Sequence, residues 1–144
     1  MKRAWGMVLV TLAVGVAAFV AGPHIWPMNP AVPMPPAILV PGYIALSAIE
    51  ALAFGFAVAF AIFGWPSIRG LRLGAPWLNK LMFVTLIWFI GNWWAHDNLH
   101  MHNGLDMHGM IFIEIGFHMT MLACGLTLTI GLYRLGRHAG AGTA

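Results

Sequence analysis

The sequence predicts an all-α integral membrane protein: a four-helix bundle of up-down-up-down topology with both termini in the cytoplasm. Three observations predict it. The 144-residue chain is 60% hydrophobic and only 8% charged, whereas soluble domains carry about 25% charged residues. Its apolar residues fall into four long runs, and its basic residues gather at one set of ends of these runs.

The four apolar runs are residues 4–22, 41–64, 77–95 and 110–133. About 20 apolar residues in a helix cross the hydrocarbon core of a bilayer. Lipid offers no hydrogen-bond partner to the backbone, so runs of this length favour helices over the shorter strands of a barrel. Residues 1–144 are therefore predicted to form a single transmembrane domain with four spans.

Two connecting segments are predicted on the outer side of the membrane. Residues 23–36 contain six prolines, which exclude a helix or a central strand and predict an extended cap over the outer mouth of the bundle. Residues 96–109, HDNLHMHNGLDMHG, contain four histidines and two aspartates and are predicted to form a histidine-rich outer loop. The third connection, residues 65–76, is a short basic segment on the opposite side.

The basic residues predict the orientation of the chain. All seven lie on the same side of the four spans: Lys2, Arg3, Arg69, Arg72, Lys80, Arg134 and Arg137. The positive-inside rule makes that side cytoplasmic and predicts a multi-pass protein of the inner (plasma) membrane. Small scattered basic groups do not form the continuous face that binds phosphates, so the predicted partner is the lipid bilayer and not a nucleic acid.

The first run allows two interpretations. Its basic start, its apolar stretch and the small residues near Gly22 are also features of a secretory signal peptide. Phe19 departs from the small-residue pattern for cleavage after Ala21, which favours a retained helix over a cleaved leader. The sequence leaves both interpretations open.

Ionisable residues inside the spans mark the predicted functional region, because such residues are costly in lipid and face the bundle interior. They are Glu50, Glu114 and His118. The helical rise places Glu50 and His118 near mid-membrane, with Glu114 and His96 about one turn nearer the outer surface. We therefore predict a polar seam that opens to the extracytoplasmic side.

The residue types in this seam predict a transition-metal site. Imidazole with carboxylate suits zinc, iron or nickel, and imidazole with thioether suits copper, so copper and zinc are the favoured ions. The site would serve metal sensing, metal delivery or redox chemistry. The predicted ligands are His96, His100, Glu114 and His118, with His102 and His108 as capture groups and Glu50 as a deep partner.

A second hypothesis keeps the same fold and gives the polar residues a structural role. Here the chain is a non-catalytic accessory or assembly subunit of a larger membrane complex, or of a homo-oligomer, whose buried Glu and His groups hold helices together. Haem is not expected, because only His118 lies deep enough for an axial ligand, and no nucleotide is expected either. The sequence does not decide whether the protein is an enzyme.

Overall fold

The computed structural model describes residues 2–140, with side chains as far as residue 137, and the described chain is all-α as predicted. Its helices are α1 (Lys2–Ile25), α2 (Val40–Phe63), the short α3 (Trp65–Arg69), α4 (Pro76–Asn103) and α5 (Met107–Gly140). A 3-10 turn, Ala37–Leu39, leads directly into α2.

The long helices pack as an antiparallel row, with α1 on α2, α2 on α4 and α4 on α5. The contacts that pair opposite ends of neighbouring helices are Gly6 with Phe63, Phe60 with Phe83, and Met82 with Gly131. The seven basic residues consequently gather at one end of the row, here called the basic end. The four acidic residues and most histidines lie toward the other, here called the histidine end.

Small residues let α1 and α2 approach very closely. A Cβ atom added at Gly55 would lie 2.7 Å from the backbone nitrogen of Gly15, and one at Gly15 would lie 3.1 Å from the Cα atom of Leu52. Ala51 and Ala59, one turn on either side of Gly55, are fully buried. This is the small-xxx-small pattern by which helices associate where lipid removes the hydrophobic driving force.

α5 contacts the row through one narrow seam. Its buried and half-buried positions include residues that recur at alternating steps of three and four: Glu114, Phe117, Met121, Cys124, Leu128 and Gly131. That 3.5-residue repeat is the spacing of a coiled-coil seam. The rest of α5 is exposed, and only 6% of its most apolar stretch is buried.

Three helical segments among residues 2–140 are long and apolar enough to cross a membrane: Lys2–Ile25, Ala37–Phe63 and Met107–Arg137. The remaining long helix, α4, is not among them. Asn79 and Lys80 at its start and Asn92 farther along interrupt its apolar residues. By length and composition, three of the four predicted spans are therefore candidate membrane spans.

Two predicted connections need correction. The loop predicted over 96–109 is helical except for Gly104–Asp106, because its polar residues continue α4 to Asn103 and begin α5 at Met107. The change from apolar to polar residues at His96 therefore does not mark the end of the helix. The Pro-rich connection begins only after Ile25, since α1 tolerates Pro23 in its last turn at the cost of one backbone hydrogen bond.

Candidate metal centre

A tight turn at the histidine end brings α4 and α5 together. Gly104 has a φ of 59°, a conformation that favours glycine, and its N–H donates to the carbonyl of His100 at 2.9 Å. Asp106 begins α5, because its Oδ1 accepts from the backbone N–H of His108 at 3.1 Å, as an N-cap residue does. Side chains on the facing sides of both helices are therefore neighbours.

The Pro-rich connection is fastened to the last turns of α4. The backbone N–H of Asn29 donates to the carbonyl of Met101 at 3.0 Å, and its side-chain amide donates to the carbonyl of Asn103 at 3.3 Å. His102 Nδ1 lies 2.9 Å from the carbonyl oxygen of Pro27. These contacts fix the end of α4 that carries His100.

Three of the predicted ligands converge at this end. One ligand atom from each of His96, His100 and Glu114 lies within 4.8 Å of the other two, and all three residues are half-buried. His100 Nε2 lies 3.0 Å from His96 Nε2 and 3.0 Å from Glu114 Oε1. Ligand atoms around a tetrahedral zinc ion at about 2.0–2.1 Å are spaced by about 3.3 Å. These two spacings are close to that value, and the third, between His96 and Glu114, is within 4.8 Å.

His96 is held in one orientation by two neighbours. Its ring stacks on Phe117 with centroids 3.8 Å apart and an interplanar angle of 24°. Its Nδ1 lies 3.2 Å from Asp97 Oδ1, so we assign the ring proton to Nδ1, where it donates to the carboxylate. Nε2 then carries the lone pair and faces His100. This carboxylate–histidine arrangement is the usual support of a metal-binding imidazole.

Glu50, predicted as the deep partner, lies beside Asp97 and outside the group of three. Its carboxyl group on α2 is close to the Asp97 side chain on α4, and Asp97 Oδ1 lies 3.2 Å from His96 Nδ1. The polar residues at this end therefore extend from α2 through α4 to α5.

His118 contacts the cluster from the outside. Its Nδ1 lies 3.0 Å from Glu114 Oε2 and 2.9 Å from the backbone carbonyl oxygen of Glu114. The side chain is 66% exposed and lies off the seam that α5 forms with α4. His118 therefore holds the second oxygen of Glu114, while the first oxygen faces His100.

The two predicted capture histidines lie apart from the converging group. His102 is exposed and bonded to Pro27 as described above. His108 is exposed in the first turn of α5. Both border the histidine end, but the structure does not bring either one to the three converging ligand atoms.

No known family matches this chain. The curated proteins and the solved structures also give no match. The chemistry of the cluster therefore follows from the types and positions of its own ligand atoms.

Asp97 and Phe117 are site residues that the sequence analysis did not assign. Once α4 is known to continue to Asn103, Asp97 lies about 100° around the helix from His96, which turns it from α5 toward α2. Phe117 is one seam position after Glu114. The signal for both residues is the polar end of α4, because a polar segment that stays helical keeps the spacing of its side chains.

The cluster places three electron-rich atoms around one point. With the His96 proton on Nδ1, only the N–H of His100 Nε2 lies between His96 Nε2 and Glu114 Oε1. One N–H is shared poorly by two acceptors, whereas a cation interacts with all three atoms at once. Nearby, the buried Asn92 Nδ2 has no hydrogen-bond partner among residues 2–140, so the polar seam also holds an unused donor.

Proposed function

We propose that this is an integral membrane protein that binds a zinc ion at its extracytoplasmic end through His96, His100 and Glu114. The observation that carries the proposal is the convergence of two imidazole nitrogens and one carboxylate oxygen from α4 and α5. The packing of the four long helices and the separation of charge support the membrane part of the proposal.

Four spans are proposed although only three helices are apolar enough by themselves. α4 lies between α2 and α5 and packs on both, and both of these neighbours include candidate spans. A helix that runs alongside two spans occupies the same depth of the bilayer. Neighbouring helices also shield its polar residues from lipid, which lowers the cost of Asn92 in the apolar layer.

The proposed orientation has the basic end in the cytoplasm. All seven basic residues are at that end, and cytoplasmic segments carry an excess of lysine and arginine. The cluster then faces the extracytoplasmic side of the inner membrane. Its three residues are only half-buried, which supports exchange of an ion with that side.

Zinc is favoured over copper because of the ligand types that converge. Two histidines and one carboxylate form the ligand set of open zinc sites, in which a fourth position takes water or a substrate. Copper would favour a thioether among the ligands, and the nearby Met101 and Met107 are exposed. A three-ligand site suits zinc sensing, zinc delivery or a zinc-bound water, and it provides no redox chemistry of its own.

The proposal is tested by measuring zinc in the protein purified in mild detergent. Wild-type protein is expected to retain one zinc ion per chain after dialysis, and His96→Ala and Glu114→Gln are expected to retain none. His102→Ala and His108→Ala are matched controls at the same end of the molecule and should retain zinc. Equal zinc contents in wild-type protein and His96→Ala would overturn the proposal.

One observation favours the accessory-subunit hypothesis as a second candidate. Among the described helices α5 packs mainly on α4, and large apolar side chains line its free side, among them Phe112, Ile115, Leu122 and Leu126. Lipid or another membrane subunit covers such a surface. If the purified chain retains no zinc and co-purifies with another membrane protein in a fixed ratio, this result would support the accessory-subunit function over metal binding.

A further inference from the structure

A pocket of about 290 Å³ lies at the basic end, between α3, the following loop and the first turns of α4. Its lining combines three cations, Arg69, Arg72 and Lys80, with apolar surface from Trp65, Leu71 and Leu73. The metal centre is at the other end of the helices and has no part in this pocket.

The pocket is built by buried contacts and is not a chance gap in a loose loop. Asn79, which is only 6% exposed, donates from its side-chain amide to the carbonyls of Ile68 at 2.7 Å and Leu71 at 2.9 Å. Leu73 is fully buried, and its carbonyl accepts from Arg134 Nη1 at 3.1 Å. The loop is thereby tied to both α4 and α5.

The three cations that line the pocket have no anionic partner among the residues that the structure describes. Other basic side chains at this end are engaged, since Arg3 donates to the carbonyl of Phe63 and Arg134 to that of Leu73. Arg69, Arg72 and Lys80 form no ion pair or side-chain hydrogen bond with the described residues. The four acidic residues of the chain belong to α2, the end of α4, the turn and α5, toward the histidine end.

The lining indicates the chemistry of the missing partner. Exposed arginine and lysine side chains bind phosphate groups, and the apolar walls suit the glycerol and first acyl carbons of a lipid better than a free anion. Trp65 is half-buried beside the cations, as aromatic residues are at a membrane interface. Basic pockets at the cytoplasmic side of helix bundles bind phospholipid head groups in this way.

We propose that this pocket binds the phosphate head group of an anionic phospholipid of the cytoplasmic leaflet. A head group with two phosphates, as in cardiolipin, matches three cations best. The phospholipid would fasten the loop between α3 and α4 to the membrane surface. The proposal rests on the proposed orientation and is independent of zinc binding.

The test is native mass spectrometry of the detergent-purified protein with added cardiolipin, phosphatidylcholine or inorganic phosphate. The double variant Arg69→Gln/Arg72→Gln is expected to bind cardiolipin about thirtyfold more weakly, and Lys80→Gln about fivefold more weakly. Arg137→Gln is the control for Lys80→Gln, because it removes one positive charge at the same end but outside the pocket. The affinity of Arg137→Gln for cardiolipin should stay near that of wild type. Size-exclusion profiles and helix content establish that each variant is folded.

Three results would overturn the proposal. Wild-type affinity in the double variant would show that the pocket does not bind the lipid. An equal loss in Arg137→Gln would show that only the general charge of this end matters. Inorganic phosphate that binds as tightly as cardiolipin would identify a free anion, and not a lipid, as the ligand.

Discussion

Asp97→Asn is the most informative single change at the proposed zinc site, because Asp97 touches a ligand without being one. The variant keeps an oxygen near His96 Nδ1 but removes the negative charge that fixes the ring proton there. His96 Nε2 then becomes a weaker base and a less well oriented ligand. Loss of such supporting groups commonly lowers metal affinity by about 10–100-fold.

The structure places the expected effect at the lower end of that range. The Nδ1–Oδ1 distance of 3.2 Å is longer than the 2.7–2.9 Å of a strong charge-assisted bond. The Asp97 side chain is also 43% exposed, so water screens part of its charge. We therefore expect the Kd for zinc to rise about tenfold, which corresponds to about 1.4 kcal/mol.

The assay is competition for zinc between the detergent-purified protein and a chromophoric chelator. Asp106→Asn is the matched control, because it makes the same change at the same end and asparagine caps a helix as well as aspartate does. In a His96→Ala background, Asp97→Asn should have no further effect. An unchanged Kd in Asp97→Asn, or an equal loss in Asp106→Asn, would refute the reasoning.

Three further predictions concern stability, measured as the free energy of unfolding in a detergent mixed with increasing SDS. Gly55→Leu should lower the free energy of unfolding by about 3 kcal/mol, because the leucine side chain would clash with the backbone of α1. Gly42→Leu, whose side chain meets open space, should change it little. Equal effects of the two variants would contradict the close packing of α1 on α2. Gly104→Ala should cost about 1–3 kcal/mol because of its positive φ, and Gly116→Ala, a helical position in open space, should cost nothing. Asn79→Ala should cost about 2 kcal/mol because two carbonyls lose their donor, and an unchanged stability would show that the pocket loop is held by other contacts.

The sequence was sufficient for the helices that lie wholly in apolar surroundings. The run 41–64 became α2, Val40–Phe63, with a shift of one residue at each end, because apolar length and helix length coincide there. They do not coincide in α4, which continues past the apolar run 77–95. The end of α4 is indicated by the dipeptide Asn103-Gly104, since glycine readily adopts the positive φ that ends a helix, as Gly104 does here.

The position of His118 could not be predicted from its depth. Residues four apart on a helix differ by about 40° in direction, so His118 shares a broad stripe with Glu114. At the level of His118, however, α5 packs on α4, and its seam is narrow enough that this rotation takes His118 out of the contact. Depth along the axis is fixed by sequence counting, whereas the rotation of α5 depends on Phe117, Cys124 and the other seam residues.

The residue that lies beside Glu50 could not be predicted from the sequence for a similar reason. A buried carboxyl group needs a polar partner, and His118 was at a matching depth. The structure supplies Asp97 instead, because α2 packs on α4 and has no comparable contact with α5. Which of two residues at similar depth meets Glu50 is therefore set by the order of the helices in the row.

The proposed ligands all lie between His96 and Glu114, on two helices joined by the three-residue turn Gly104–Asp106. Closing so short a connection costs little chain entropy, so the ligand atoms can meet as soon as this hairpin forms. The helices α1 and α2 supply none of the three proposed ligands, although Glu50 of α2 lies beside Asp97 and the Pro-rich connection fastens the end of α4. The proposed ligand set thus belongs to one helical hairpin, and changes in the first half of the chain that keep these contacts leave all three ligands in place.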